Sequence, residues 1–361
     1  MRLLVDLTSC EDAASGAGRR ALELWPRLLT LLGSGDRVAF VASPSFGTLL
    51  RARAPEAELL PFPGRAGRPW SRFRHLNPLI RRWLRDEGFE AVHQETLPLA
   101  APPRTIFTLH DLREVHPRFR TARWRRVAAS FLLQSQVSRC ARIITVSAWM
   151  KTEIQARRGL GNVPVAVVPN AVDRECFRSG GLGPEVLTDR GLEAGAYLLH
   201  VGHREPRKNL PFLVEVLKVL VERGANLRLV LVGRRKGRYA VPERRARKLR
   251  IEDRLILLDD VSDGELPPLY RGAHTVLVPS LYEGFGMTAL EAVAAGAPVL
   301  APRRGPFPEF LSEGQLLPGE AGAEMWAEAV TEGRGATDSS APLSLLDWDS
   351  AARALADALF G

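Results

Sequence analysis

The chain has 361 residues, of which 45% are hydrophobic and 25% charged; this length favours two domains, each with a sizeable core. It carries a formal net charge of +9, from 50 basic and 41 acidic residues. These values exclude a disordered chain and a fibrous repeat. No run approaches the ~18 apolar residues of a membrane span, and the three cysteines (Cys10, Cys140, Cys176) have no CxxC spacing for a thiolate metal site.

In chain order, short apolar runs rich in β-branched residues alternate with longer helical patterns. The first half predicts strands at Arg2–Asp6, Val38–Ala42, Ala91–His93, Thr105–Leu109, Ile143–Val146 and Val165–Val168. The opening MRLLVDL reads as the first of these, with no secretory hydrophobic region, so a reducing cytoplasm is expected. After it, Gly16-x-Gly18-x-x-Ala21 superficially matches a dinucleotide fingerprint. The spacing from Asp6 is too long for that tight turn, but a glycine loop opening a helix can still meet a phosphate.

The first half is the electropositive one. Residues 1–180 carry 28 basic and 16 acidic side chains, and residues 181–361 carry 22 and 25. Arg65, Arg68, Arg72, Arg74, Arg81, Arg82 and Arg85 interleave with Trp70 and Trp83, and Arg118, Arg120, Arg123, Arg125 and Arg126 surround Trp124. Such clusters suit an anionic lipid surface, nucleic acid, or a solvated helix face paired with carboxylates. Of these the solvated face comes first and a lipid surface, met peripherally on the inner face of a membrane, second; nucleic acid is set aside.

His110 and Asp111 follow the strand Thr105–Leu109 and so fall at the ligand end of a parallel sheet. Histidine there can donate to a hydroxyl or carry a proton. After the Gly/Ser-rich stretch at 179–183 the pattern restarts, with strands predicted at Tyr197–Val201, Leu227–Val232, Leu255–Leu257, Thr275–Pro279 and Pro298–Leu300. Continuous apolar strands alternating with helices imply parallel sheets covered on both faces, hence two Rossmann-like doubly wound α/β domains. The expected division is residues 1–178, residues 179–345, and a terminal helix at 346–361.

In LLHVGHREPRKNL a strand ends at Gly202 and a loop carries Arg204, Arg207 and Lys208, with Asn209 expected to cap the next helix. Adjacent guanidinium and ammonium groups beyond a strand suit a diphosphate. In TVLVPSLYEGFGMTALEAVAAGAPVL, a turn holding Glu283, Gly284, Phe285 and Gly286 leads into a helix beginning near Met287. Its N-terminal amides and dipole attract phosphate, while Glu283 and Glu291 suit sugar hydroxyls. Asp347-Trp348-Asp349 spells a DxD triplet. It precedes a terminal amphipathic helix, so Asp349 or Ser350 is read as its N-cap and no metal site is expected.

Together these stretches resemble the GT-B glycosyltransferases of family 4. Glu283…Glu291 looks like the family's E-x7-E signature and GHREPRKNL like its diphosphate loop. His110-Asp111, Thr145–Ser147, Gly16–Gly18, VVPNAVD and RGPFPE, ending at Glu309, also look like family stretches. The resemblance implies two domains facing a cleft and a hexose moved, with retention and without an obligatory metal or cofactor, from a nucleotide diphosphate sugar. GDP-mannose or a UDP-hexose would be the donor, and a glycan or lipid-linked hydroxyl the acceptor. It implies that Arg207 and Lys208 hold the diphosphate with amides around Gly286. Glu291 would take the ribose, Glu283 and His110 the donor sugar, Gly18 the diphosphate, and Asp263 or the backbone near Val261 the base. Three alternatives share parts of the pattern: a GT-B-fold sugar-nucleotide epimerase, an NAD-dependent oxidoreductase, and a non-catalytic binding protein for anionic polymers resting on the basic first half.

Overall fold

A computed structural model describes residues 1–10, 16–63, 72–95, 102, 104–113, 115–116, 123–157, 159–235, 241–336 and 346–361. The chain divides into two compact units, Met1–Asn170 with Trp348–Gly361, and Ala171–Asp347.

The first unit contains a seven-stranded sheet in the order β3-β2-β1-β4-β5-β6-β7. Its elements are β1 (Arg2–Asp6), α1 (Gly16–Leu29), β2 (Arg37–Val41), α2 (Pro44–Arg53), β3 (Glu58–Leu60), α3 (Asn77–Asp86), β4 (Ala91–Gln94), β5 (Thr105–Leu109), α4 (Arg123–Val137), β6 (Arg142–Thr145), α5 (Ala148–Gln155) and β7 (Val165–Val167). All pairings are parallel. The central strands are buried on both faces, which is why they read as continuous apolar runs rather than alternating ones.

The second unit runs through α6 (Arg174–Arg178), α7 (Glu185–Asp189), β8 (Tyr197–Val201), α8 (Leu210–Glu222), β9 (Arg228–Val232), α9 (Val241–Leu249), β10 (Leu255–Leu258), α10 (Leu266–Arg271), β11 (Thr275–Leu277), α11 (Met287–Ala294), β12 (Val299–Pro302), β13 (Leu316–Leu317) and α12 (Ala323–Thr331). Its six parallel strands lie in the order β10-β9-β8-β11-β12-β13. One core cluster joins α8 and α12 to the sheet through Leu213, Leu217, Leu220, Trp326 and Val330. In each sheet the chain reverses its direction of winding once, between β1 and β4 and between β8 and β11. Such switch points are where doubly wound sheets bind ligands.

The last helix, α13 (Trp348–Phe360), belongs to the first unit. Its buried face, Trp348, Ala351, Ala352, Leu355 and Leu359, has helical spacing and packs against α1. The helix starts earlier than the capping pattern predicts. Asp349 and Ser350 therefore fall in its first turn rather than before it; Asp349 pairs with Arg27 of α1 at 2.9 Å, and Ser350 accepts a hydrogen bond from Arg353.

The division between units falls before the Gly/Ser-rich stretch because the segment after Asn170 packs onto the second unit. There Arg271 donates to the carbonyls of Phe177 and Gly180, each at 3.0 Å. On the other side of the boundary, the buried Arg20 of α1 donates to Val168, Pro169 and the side chain of Asn170. Two edge strands, β3 and β13, are too short to stand out as runs in the sequence.

Candidate functional site

The second unit brings the two principal motifs together at its switch point. Arg207 and Lys208 lie in a single 3-10 turn, Pro206–Lys208, after β8, and Glu283 lies in the loop after the adjacent β11. Arg207 donates to one carboxylate oxygen of Glu283 at 2.6 Å and Lys208 to the other at 2.7 Å. Glu205 faces Arg207 at 2.6 Å, so two cations and two carboxylates form a balanced cluster. Two contacts fix this arrangement: Leu281 donates its amide to the Arg207 carbonyl at 2.8 Å, and the Thr288 hydroxyl of α11 donates to the Val201 carbonyl at the end of β8, also at 2.8 Å.

Burial raises the pKa of Glu283, but Lys208 and Arg207 outweigh it and hold the carboxyl below the usual range. Burial pulls Lys208 below the ordinary ammonium range despite the facing Glu283. Behind them, burial, with Lys208 adding to it, lowers His200 to about 4, so this imidazole is neutral near pH 7. Its Nδ1–H donates to the Leu277 carbonyl at 2.8 Å.

Several neighbouring residues have structural roles the sequence did not reveal. Arg204 is buried; it donates to the Gly233 carbonyl at 2.9 Å and to Asp259 at 2.6 Å, tying together the loops that follow β8, β9 and β10. Asn209 makes no capping bond. It adopts the left-handed conformation (φ 53°) between the 3-10 turn and α8. Lys208 therefore ends the 3-10 turn and lies outside α8.

Gly286, at φ 99°, precedes α11, and a Cβ there would lie 2.6 Å from the Phe307 ring. Packing within the chain alone therefore already excludes a side chain at this position. Phe285 stacks on Phe310 at 5.4 Å, and Met287 opens α11. Gly284 lies between Glu283 and this aromatic cluster. Glu291, one turn into α11, accepts a 2.7 Å hydrogen bond from the buried Tyr270 of α10. Asp263 is exposed in the loop after β10, two strands from β8.

In the first unit, Gly16 and Gly18 are not in a loop; they form the first turn of α1. A Cβ on Gly16 would meet nothing within 4 Å. His110 follows β5 and faces Glu95, which follows β4, at 3.2 Å. Glu95 is buried and ionised: burial alone would raise its pKa, but His110, His93 and Arg20 together lower it to about 2. Asp6, at the end of β1, is fully buried and accepts hydrogen bonds from Arg72 at 2.7 Å, Gln94 at 3.3 Å and Thr8 at 2.6 Å. The sequence pattern flagged neither Glu95 nor Asp6, because each acquires its partner only through the order of the strands.

The basic clusters divide. Arg72 is an internal ion-pair partner, and Trp83 is buried in the core beneath α3, so neither contributes to a surface. Arg74, Arg81, Arg82 and Arg85 are exposed, and the last two pair with Asp86. On α4, Trp124 and Phe131 are 69% and 72% exposed. Arg65, Arg68, Trp70, Arg118 and Arg120 lie outside the described residues, as do the side chains of Arg123, Arg125 and Arg126. Among the described residues no helix is long and apolar enough to cross a membrane, and no group of three or more His, Cys, Asp or Glu residues could hold a metal ion.

Two doubly wound units, one carrying a guanidinium and an ammonium beside a helix N-terminus at its switch point, define the GT-B architecture of nucleotide-sugar enzymes. The model of Glycosyltransferase Family 4 matches residues 14–175 and that of Glycosyl transferases group 1 matches residues 190–332, so the chain belongs to this glycosyltransferase family. It is 27% identical over 235 residues to the O-antigen chain mannosyltransferase RfbU of Salmonella typhimurium, covering 65% of this chain and 62% of that one. It is 30% identical over 257 residues to O-antigen chain mannosyltransferase B of Escherichia coli, covering 68% of this chain and 65% of that one. The aligned stretches thus span somewhat under two thirds of these relatives. Among solved structures, Anabaena HepE in complex with UDP and glucose superposes with a TM-score of 0.71 at 17% identity, covering 99% of both chains.

Proposed function

We propose that this protein transfers a hexose from a nucleotide diphosphate sugar to a hydroxyl acceptor with retention of anomeric configuration. The observation that carries the reading is the junction of Arg207, Lys208 and Glu283 where β8 and β11 lie side by side, next to the start of α11. Cleavage of the anomeric bond develops oxocarbenium character on the sugar and negative charge on the departing diphosphate. Arg207, Lys208 and the first amides of α11 are fixed donors for that charge, and such preorganised electrostatics need no reorganisation during the reaction. Gly284, Phe285, Gly286 and Met287 form the turn that presents those amides.

Glu283 has a double part in this reading. It orients the two cations and offers its carboxylate to a sugar hydroxyl. Glu291, steadied by Tyr270, takes the ribose hydroxyls, and Asp263 lies toward the base. His110 in the first unit serves the reacting sugar as hydroxyl ligand and proton carrier. Gly16 and Gly18 stand at the start of α1, whose N-terminal amides suit a phosphate oxygen. Attack proceeds from the face of the leaving group, with a diphosphate oxygen accepting the acceptor's proton. The reaction uses no cofactor and no obligatory metal.

The mannosyltransferase relatives favour GDP-mannose as donor, with a UDP-hexose next, and a glycan or lipid-linked acceptor. The charge excess of residues 1–180 and the exposed Trp124 and Phe131 support a peripheral, cytoplasmic-face association with an anionic membrane.

Thermal-shift titration with GDP-mannose, UDP-glucose and NADH tests the donor class, because a ligand that binds the folded state raises the melting temperature. A rise with NADH and with neither nucleotide sugar overturns the reading. Donor conversion with no acceptor present would instead mark an epimerase. A glycosyl adduct trapped on an enzyme carboxylate rules out same-face attack.

A further inference from the structure

We propose that Glu95 is the positioning residue of His110, fixing its imidazole so that Nε2 carries the proton and Nδ1 is the nitrogen left for a substrate hydroxyl. The inference rests on the register of two neighbouring strands. β4 and β5 run parallel, and His93 meets Thr108 at 2.8 Å while Glu95 meets His110 at 3.2 Å. Both pairs have the same 15-residue offset and stand two residues apart along the ladder, so they share one face of the sheet. On that face the Trp25 ring of α1 packs edge-on against His93, with ring centroids 5.1 Å apart. The lower rung locks His93 in the core, and the upper rung holds His110 at the carboxyl end, where ligands of such sheets bind.

Glu95 is a costly residue to place there. It is 2% exposed, and an ionised carboxylate out of water is destabilising unless paired and hydrogen-bonded. Among the described residues, His110 donates a side-chain hydrogen bond to it, and the second imidazole, His93, stands 4.0 Å away. An ionised carboxylate can only accept, so His110 must donate through Nε2. The proton position on the ring is thereby set by Glu95, as carboxylates commonly set the tautomer of functional imidazoles. In the neutral ring Nδ1 is an acceptor for a hydroxyl proton. In the charged ring it is a donor.

The test uses the full chain in wild-type, Glu95→Gln, His110→Ala and doubly substituted forms. With 15N-labelled histidine, long-range proton–nitrogen spectra at a pH where His110 is neutral identify its tautomer, the signal being the one lost in His110→Ala. The expected wild-type signal is the Nε2–H form; an Nδ1–H form overturns the proposal whatever the activity. Donor turnover is followed as nucleoside diphosphate release from GDP-mannose and UDP-glucose in the presence of a panel of glycan and lipid-linked hydroxyl acceptors. Glu95→Gln is expected to lower kcat about 10- to 100-fold with KM little changed, as when a group orienting a functional imidazole is removed. In the His110→Ala background it should have no further effect on kcat. An equal loss in that background shows that Glu95 acts on the fold at large and overturns the proposal.

The kinetic arm depends on the glycosyltransfer reading. If the wild type turns over neither donor, that reading fails, while the spectrum still decides the role of Glu95.

Discussion

Replacing Glu283 with glutamine removes one negative charge and almost no volume from a cluster that is nearly closed to water. The Glu283 and Lys208 side chains are each 9% exposed and that of Arg207 is 14% exposed. Arg207 keeps Glu205 at 2.6 Å, so the principal uncompensated charge is the Lys208 ammonium, which then faces a neutral amide. Breaking a buried pair from one side costs roughly 3–5 kcal/mol, and the partner retained by Arg207 places the loss near the lower figure. About 3 kcal/mol lowers the melting temperature of a domain this size by roughly 6–12 °C.

Differential scanning calorimetry of the full chain reads the shift in the transition of the unit spanning residues 171–347. Adding Lys208→Met removes the stranded charge and should recover most of the loss, because an apolar side chain of similar volume can replace a buried ion pair at little cost. Thermal shifts with nucleotide sugars, expected for the wild type, should be lost in both variants. If Glu283→Gln alone melts within about 1 °C of wild type, a shift no larger than ordinary surface substitutions give, the ion pairs are solvent-screened and the reasoning is refuted.

Four further outcomes follow from the geometry. Gly286→Ala combines a positive φ of 99° with a Cβ placed 2.6 Å from the Phe307 ring; it should cost roughly 2–5 kcal/mol in urea unfolding, and Phe307→Leu should return part of it. Glu95 and Glu283 both have native pKa values below their reference of 4.5, so the native state binds fewer protons there than the unfolded chain. Their stabilisation is full above pH 4.5 and is lost as pH falls through the native values; acid titration of Glu95→Gln by circular dichroism should therefore show a shallower decline below pH 4.5 than wild type. Arg72→Met strands Asp6, fully buried at the end of β1, and should cost roughly 3–5 kcal/mol while leaving liposome binding unchanged. Trp124→Ala should weaken association with anionic vesicles, which itself should fall as salt rises; equal binding of wild type to neutral vesicles contradicts an electrostatic membrane contact.

The strands most buried on both faces were legible from the sequence because the signal is local: a run of apolar β-branched residues needs no distant partner to be recognised. Arg2–Asp6, Thr105–Leu109 and Tyr197–Val201 have in the structure the bounds the pattern predicts. The placement of Arg207, Lys208 and Glu283 just beyond strands was equally local. Which loops become neighbours was not, since it depends on strand order. Strand order sets Glu283 against residues 75 and 76 positions away, Arg72 against Asp6 across 66, and Glu95 against His110 across 15. A charge pattern records how many arginines a segment has, but only the fold decides that Arg72 turns inward while Arg81 remains in water. Burial then makes the difference energetic, because a charge removed from solvent must find its counter-ion in whatever the chain has folded beside it.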